Sequence, residues 1–237
     1  MGNLFKFKEF QVDQQGCAMR INTDGVILGA ISEFPSSASL FRALDIGTGT
    51  GVIAMMLAQR FKTAIIDAVE IDNSAAKAAG VNFLNSTFAD RVAVVSGDIA
   101  SYQSSVSYDL IVSNPPFFTN DLKSLESRKS LARHAADSFF EVLVSKSSKL
   151  LSVNGLLWLI LPVKQADVVI GLAVAHGLHL NRVVYIHSDV NKPLIRKVIC
   201  LGKQVEDLKE ETLYIYESEG VHTQAYRYLL REFFLAF

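Results

Sequence analysis

The sequence predicts a doubly wound α/β fold built on a mostly parallel sheet, and three observations predict it. Short, densely apolar runs recur along the chain, each followed by a stretch of helical period. These runs lack the in–out alternation of a half-exposed sheet, so both of their faces are expected to be covered. A glycine-rich turn joins one apolar run to the helix behind it, which is where α/β sheets receive ligands.

The elements follow in order. Residues 22–32 (NTDGVILGAIS) predict a short helix with Asn22 or Thr23 near its cap. Residues 39–47 (SLFRALDIG) read as a buried strand ending near Asp45, and residues 51–61 as a helix. Residues 63–72 (TAIIDAVEID) and 91–98 (RVAVVSGD) are strands that flank an Ala-rich helix over 73–86. Another strand, YDLIVSNPP, covers 108–116; a helix over 137–151 and the apolar strand GLLWLILP follow. After Pro162 come a helix over 163–176 and the runs VVYIH, LIRKVICLG and TLYIY. The last two are expected to pair as an antiparallel hairpin at the sheet edge. Residues 226–237 predict a terminal amphipathic helix, and the acidic stretch 206–219 a solvated connection. Ser-rich patches at 36–39 and 101–107 read as loops.

With 237 residues, half of them hydrophobic and 20% charged, the chain can build a large core. One domain over 1–237 is expected, with a closing segment (1–40), a core (41–203) and a C-terminal strand and helix (204–237). The formal charge of −1 does not advertise a polyanion partner, so a nucleic-acid enzyme would have to cluster its cations. Cys17 and Cys200 have neither metal-ligand nor disulfide spacing. With no signal-like start and no long apolar segment, they fit a protein of the reducing cytoplasm without membrane or metal.

The turn Asp45-Ile46-Gly47-Thr48-Gly49-Thr50-Gly51 carries the first chemistry. The nicotinamide fingerprint would need a glycine at position 52, which is Val52. A carboxylate before the first glycine repels a pyrophosphate but attracts an ammonium or sulfonium. Glu70 and Asp98 end the next two strands, positions suited to a ribose and to an exocyclic amine. The bland alternative is a tight turn with two capping acids. Together with Asn114-Pro115-Pro116-Phe117, this order resembles the class I S-adenosylmethionine-dependent methyltransferases over residues 22–203. The resemblance implies a seven-stranded sheet with one antiparallel edge strand. It also implies that the glycine loop holds the methionine part, Glu70 the ribose and Asp98 the adenine of S-adenosylmethionine, leaving S-adenosylhomocysteine as product.

The tetrapeptide explains what such an enzyme does. Two prolines stiffen the turn and leave its carbonyls free to accept. A conjugated amine is a poor nucleophile because its lone pair is delocalised. If the Asn114 side-chain oxygen and the Pro115 carbonyl each accept one N–H, the lone pair localises toward the methyl donor. Phe117 is placed to stack on the base. The same tetrapeptide serves enzymes acting on protein glutamine or guanine, and by itself could be only a rigid turn.

Residues 14–30, QQGCAMRINTDGVILGA, resemble the tRNA-Val (adenine-37) N(6)-methyltransferase family, which implies the anticodon stem-loop of a tRNA as partner. The resemblance carries cofactor contacts to Thr23 and Asp24, with simple packing as the alternative. Asn22 departs from the glycine expected in most relatives. A retained cofactor fold without catalysis is a further alternative, which the intact Asn114–Phe117 stretch disfavours. Basic residues cluster at Lys123, Arg128, Lys129 and Arg133, at Lys192, Arg196 and Lys197, and at Lys6, Lys8 and Arg20. The first run is expected to contact RNA phosphates, or else to be a solvated face. His134 reads as a surface residue, and either a monomer or a homodimer fits.

Overall fold

A computed structural model describes residues 3–15, 20–34, 41–116 and 126–237, with the side chains of 126–137 outside the description. A small antiparallel pair, β1 (Leu4–Lys6) and β2 (Gln11–Asp13), leads into helix α1 (Thr23–Ile31). Then β3 (Phe41–Ile46), α2 (Val52–Arg60), β4 (Ala64–Glu70), α3 (Asn73–Leu84), β5 (Val92–Ser96) and β6 (Tyr108–Ser113) alternate as the periodicity predicts. A long helix, α4 (Glu126–Leu150), runs directly into β7 (Leu151–Leu161), followed by α5 (Val163–Ala175), β8 (His179–His187) and β9 (Leu194–Gly202). The chain closes with β10 (Lys209–Tyr214), a two-stranded ribbon of β11 (Tyr216–Ser218) and β12 (Val221–His222), and helix α6 (Gln224–Leu230).

The main sheet has the order β10-β8-β9-β7-β6-β3-β4-β5. Within it β9 alone runs antiparallel to its neighbours, β7 and β8. Side chains alternate between two cores. Ala43, Leu110, Val112 and Trp158 face α1, α2 and α6, whereas Leu44, Ile111, Leu157 and Leu159 face α4 and α5. A sheet covered on both faces explains why its inner strands read as unbroken apolar runs. Among the described residues no helix is long and apolar enough to cross a membrane.

Two expectations about the C-terminal part are corrected. Among the described residues the sheet has eight strands, not seven, and LIRKVICLG does not pair with TLYIY. Instead β9 fills an internal slot between β7 and β8, and β10 adds parallel to β8 at the outer edge. Burial decides this: Val198 to Leu201 are fully covered and need a neighbour on each side, whereas Lys209, Glu210 and Glu211 suit an exposed edge. The acidic stretch is therefore partly strand, and it is engaged. Glu211 pairs with Arg182 at 2.8 Å, and Glu210 accepts from the Tyr185 hydroxyl at 2.6 Å. Helix α6 ends at Leu230 rather than at the C-terminus, and Tyr226, Leu230 and Phe233 join the core beside Phe7 and Phe10. The buried thiol of Cys200 is pushed up to about 12 by desolvation, which makes it a packing residue. Cys17 and the Ser-rich stretch 36–39 lie outside the described residues.

Candidate active site

Strand register brings the ends of the strands that carry Asp45, Glu70 and Asn114 to one edge of the sheet. Ile46 is level with Ser113 and Val69, and Glu70 with Ser96, so Gly47, Glu70 and Asn114 leave the sheet side by side. The glycine loop is tied down by Gly47 and Thr48 amides donating to the Val69 carbonyl at 2.8 and 3.2 Å. Ser113 braces the strand ahead of Asn114 by donating to the Ile46 carbonyl at 2.7 Å.

Positive φ angles of 73°, 57° and 90° at Gly47, Gly49 and Gly51 explain the glycines, for different reasons. A Cβ on Gly51 would sit 2.4 Å from the Phe83 ring, so this position lets α3 pack against the loop. A Cβ on Gly47 or Gly49 would meet nothing, because both face open space. A cavity of about 60 Å³ lies there, lined by Arg20, Ile21, Asn22, Gly25, the loop from Gly47 to Thr50, Val52, Ile53 and Asn114.

The acids are fixed by specific bonds. Asp45 is wholly buried; one carboxylate oxygen accepts from Thr48 Oγ1 at 2.6 Å and Ala54 N at 3.1 Å, while the other has no partner among the described residues. Desolvation raises its pKa to about 7, opposed by those two bonds and assisted by the nearby charge of Glu70. Glu70 accepts from Gly49 N at 2.8 Å and Asp72 N at 2.9 Å, which couples the glycine loop to the end of β4. Asp98 is exposed, with one oxygen accepting from Ala100 N at 2.9 Å. Ile71, next to Glu70 in the chain, is an apolar side chain left 68% exposed.

Asn114 has its Oδ1 buried without a partner among the described residues, while its Nδ2 donates to Asn22 Oδ1 at 3.4 Å. Pro115 is buried and Pro116 exposed; Phe117 and Lys123 lie outside the described residues. Thr23 and Asp24 begin α1 but do not line the cavity. Asp24 instead holds Arg196 Nε at 2.7 Å across from β9. Lys197 pairs with Asp167, so of the second basic run Lys192 is the exposed member, on the loop between β8 and β9. In the third run Lys6 is exposed on β1 and Arg20 reaches the cavity, while Lys8 donates to the Arg231 and Phe237 carbonyls. Arg128, Lys129, Arg133 and His134 sit on α4 with side chains outside the description. Sequence reading missed Asn82, which is buried and bonds to the Thr50 and Asp13 carbonyls at 3.0 Å each. It locks β2 to the glycine loop, and nothing in its sequence surroundings marks it.

The model of the methyltransferase small domain family matches residues 30–166. A tRNA1(Val) (adenine(37)-N6)-methyltransferase of Pedobacter heparinus is 52% identical over 237 residues, covering all of both chains. One of Bacteroides fragilis, with the same name, is 40% identical over 98% of this chain and 97% of its own. The chain belongs to the tRNA1(Val) (adenine(37)-N6)-methyltransferase family. For that family the fold is the one expected of class I methyltransferases. A predicted O-methyltransferase from Agrobacterium tumefaciens superimposes with a TM-score of 0.66 at 17% identity, over 89% of this chain and 96% of its own. A Pyrococcus furiosus methyltransferase does so with 0.55 at 18% identity, over 81% and 91%.

Proposed function

We propose that the chain transfers the methyl group of S-adenosylmethionine to the exocyclic N6 of adenine 37 in a valine tRNA. The observation that carries the reading is the buried, partnerless Oδ1 of Asn114 beside an open glycine cradle. A buried acceptor without a donor is costly, so one that persists at a ligand edge is matched to a donor that arrives with the substrate.

The residues present fit S-adenosylmethionine. Glycines 47 and 49 leave room for close approach of a ligand. The cavity is too small for the whole molecule and suits its amino-acid end, with Arg20 for the carboxylate. The negative field of Asp45 acts from beneath the loop rather than by contact, because the side chain has no exposed surface. Thr23 and Asp24 would then close over this end through α1. Glu70 keeps acceptor capacity for ribose hydroxyls, Asp98 for the adenine amine, and Ile71 offers an apolar face. Bound in this way, S-adenosylmethionine supplies an electrophilic methyl group on a cationic sulfur.

The chain's own part is to make the amine attack. Asn114 Oδ1 accepts one N–H of the adenine amine and the Pro115 carbonyl the other, which draws nitrogen toward tetrahedral geometry. The N–C bond forms as the S–C bond breaks, and nitrogen then loses a proton to solvent. This chemistry needs no metal ion. An anticodon loop already displays unstacked bases, so no large recognition domain is needed. Such a substrate places the reaction in the cytoplasm.

Incubating the protein with labelled S-adenosylmethionine and separate pools of tRNA, ribosomal RNA and protein tests this. Label in N6-methyladenosine from the tRNA pool is expected; label confined to a guanine or to glutamine would overturn the substrate. Asn114→Ala is expected to retain the cofactor and lose about 100-fold or more in turnover, as for other lost transition-state hydrogen bonds. A near-normal rate would remove the role given to Asn114.

A further inference from the structure

We infer that Asn22 is a positioning residue for the transfer step: it sets which way round the amide of Asn114 points. The inference rests on the function proposed above and adds a residue to it.

The two ends of an asparagine amide are nearly isosteric, so a side chain that must present oxygen to a substrate needs something that distinguishes them. Asn22 supplies this through a bond that cannot be reversed. Its Oδ1 caps α1 by accepting from the Gly25 backbone N–H at 2.8 Å, so oxygen must occupy that position. The same oxygen lies 3.4 Å from Asn114 Nδ2. At that distance the bond is weak, and its value is orientational. A flipped Asn114 would set oxygen against oxygen and would turn a donor toward the amine. The observed orientation leaves Oδ1 of Asn114 as the free, buried acceptor.

The support of Asn22 is itself rigid. A Cβ built on Gly25 would meet Asn22 Oδ1 at 3.5 Å, Asn114 Nδ2 at 3.6 Å and Ile53 Cδ1 at 3.9 Å, so α1, α2 and the end of β6 converge there. Asp24, two residues on, is pinned to Arg196. The cap of a helix thereby reaches the reacting end of another element.

Three variants of the full chain separate positioning from helix capping, read by single-turnover methyl transfer to a transcribed valine tRNA and by cofactor affinity. Glycine is nearly as good a cap as asparagine but offers no acceptor, whereas aspartate offers both. Positioning predicts that Asn22→Gly and Asn22→Ala both slow transfer about tenfold, the equivalent of one hydrogen bond. Asn22→Asp is expected to return the rate to within about threefold of the parent, with transfer read at saturating cofactor so that a change in affinity is separated from the step. A parent-like rate in Asn22→Gly or failure of Asn22→Asp to rescue would each overturn the assignment. Full turnover by Asn114→Ala would instead remove the underlying function, so the two failures are distinguishable.

Discussion

At the scale of single residues the site is a set of charges and acceptors held at a cost that a ligand offsets. Asp45 is the clearest case. Its folded pKa of about 7 lies above the unfolded value of 3.8, so the folded chain binds more protons between these limits. Stability without cofactor is therefore greatest at low pH and falls as pH rises toward and through 7, to the extent that Asp45 decides it. A cationic ligand prefers the ionised form, so cofactor affinity should rise about tenfold from pH 5.5 to 7 and then level off. Isothermal titration at several pH values checks this, and Asn in place of Asp45 should weaken binding and flatten the profile. The glycines separate in the same way. Gly51→Ala combines positive φ with collision against Phe83 and should cost roughly 2–4 kcal/mol in denaturant unfolding. Gly49→Ala meets only open space and should cost about 1 kcal/mol, its main effect falling on cofactor affinity.

At the scale of elements the decisive unit is α1, a nine-residue helix whose N-terminus borders the cavity at the glycine loop. Asn22 caps it, and the Asp24–Arg196 pair moors it to β9, with side chains only 14% and 27% exposed. Partial burial strengthens such a pair relative to a surface one. Arg196→Ala and Asp24→Asn should each cost about 1–2 kcal/mol and weaken cofactor binding. Thermal unfolding of the double variant should show no more loss than the worse single variant, the signature of one shared interaction. Additive losses would mean that the two side chains act separately. The pairing also shows why Arg196 reads ambiguously in sequence: a basic residue on an exposed strand end looks like an RNA contact until its acid, 172 positions away, is folded against it.

At the scale of the whole molecule the question is how a chain of formal charge −1 meets a polyanion. Arg196, Lys197 and Lys8 are engaged within the protein, which leaves Lys6, Arg20 and Lys192 exposed at the described surface of these runs. We propose that the Arg128–Lys129 pair near the start of α4, following the catalytic turn, supplies further phosphate contacts. Glutamate at both positions should weaken tRNA binding about tenfold at low salt and lower the salt slope, with cofactor affinity unchanged. Unaltered tRNA affinity in filter binding would discard that surface.

The doubly wound class and the order of strands and helices from α1 as far as β8 were legible in the chain, whereas β1 and β2 were not. Class and order depend on local period and on turn chemistry, and both are written in neighbouring residues. The placement of Asp45, Glu70 and Asn114 at strand ends was legible for the same reason, since each closes an apolar run. Only the tertiary structure decided that β9 inserts between β7 and β8 and that β10 takes the outer edge. Pairing depends on burial of the whole strand surface, which no short window contains. It alone decided, too, that Asp24 faces Arg196, that Asn82 locks the glycine loop, and that Asn22 meets Asn114. Each of these bonds joins residues far apart in the chain, and a hydrogen bond depends on distance in space rather than on separation in sequence.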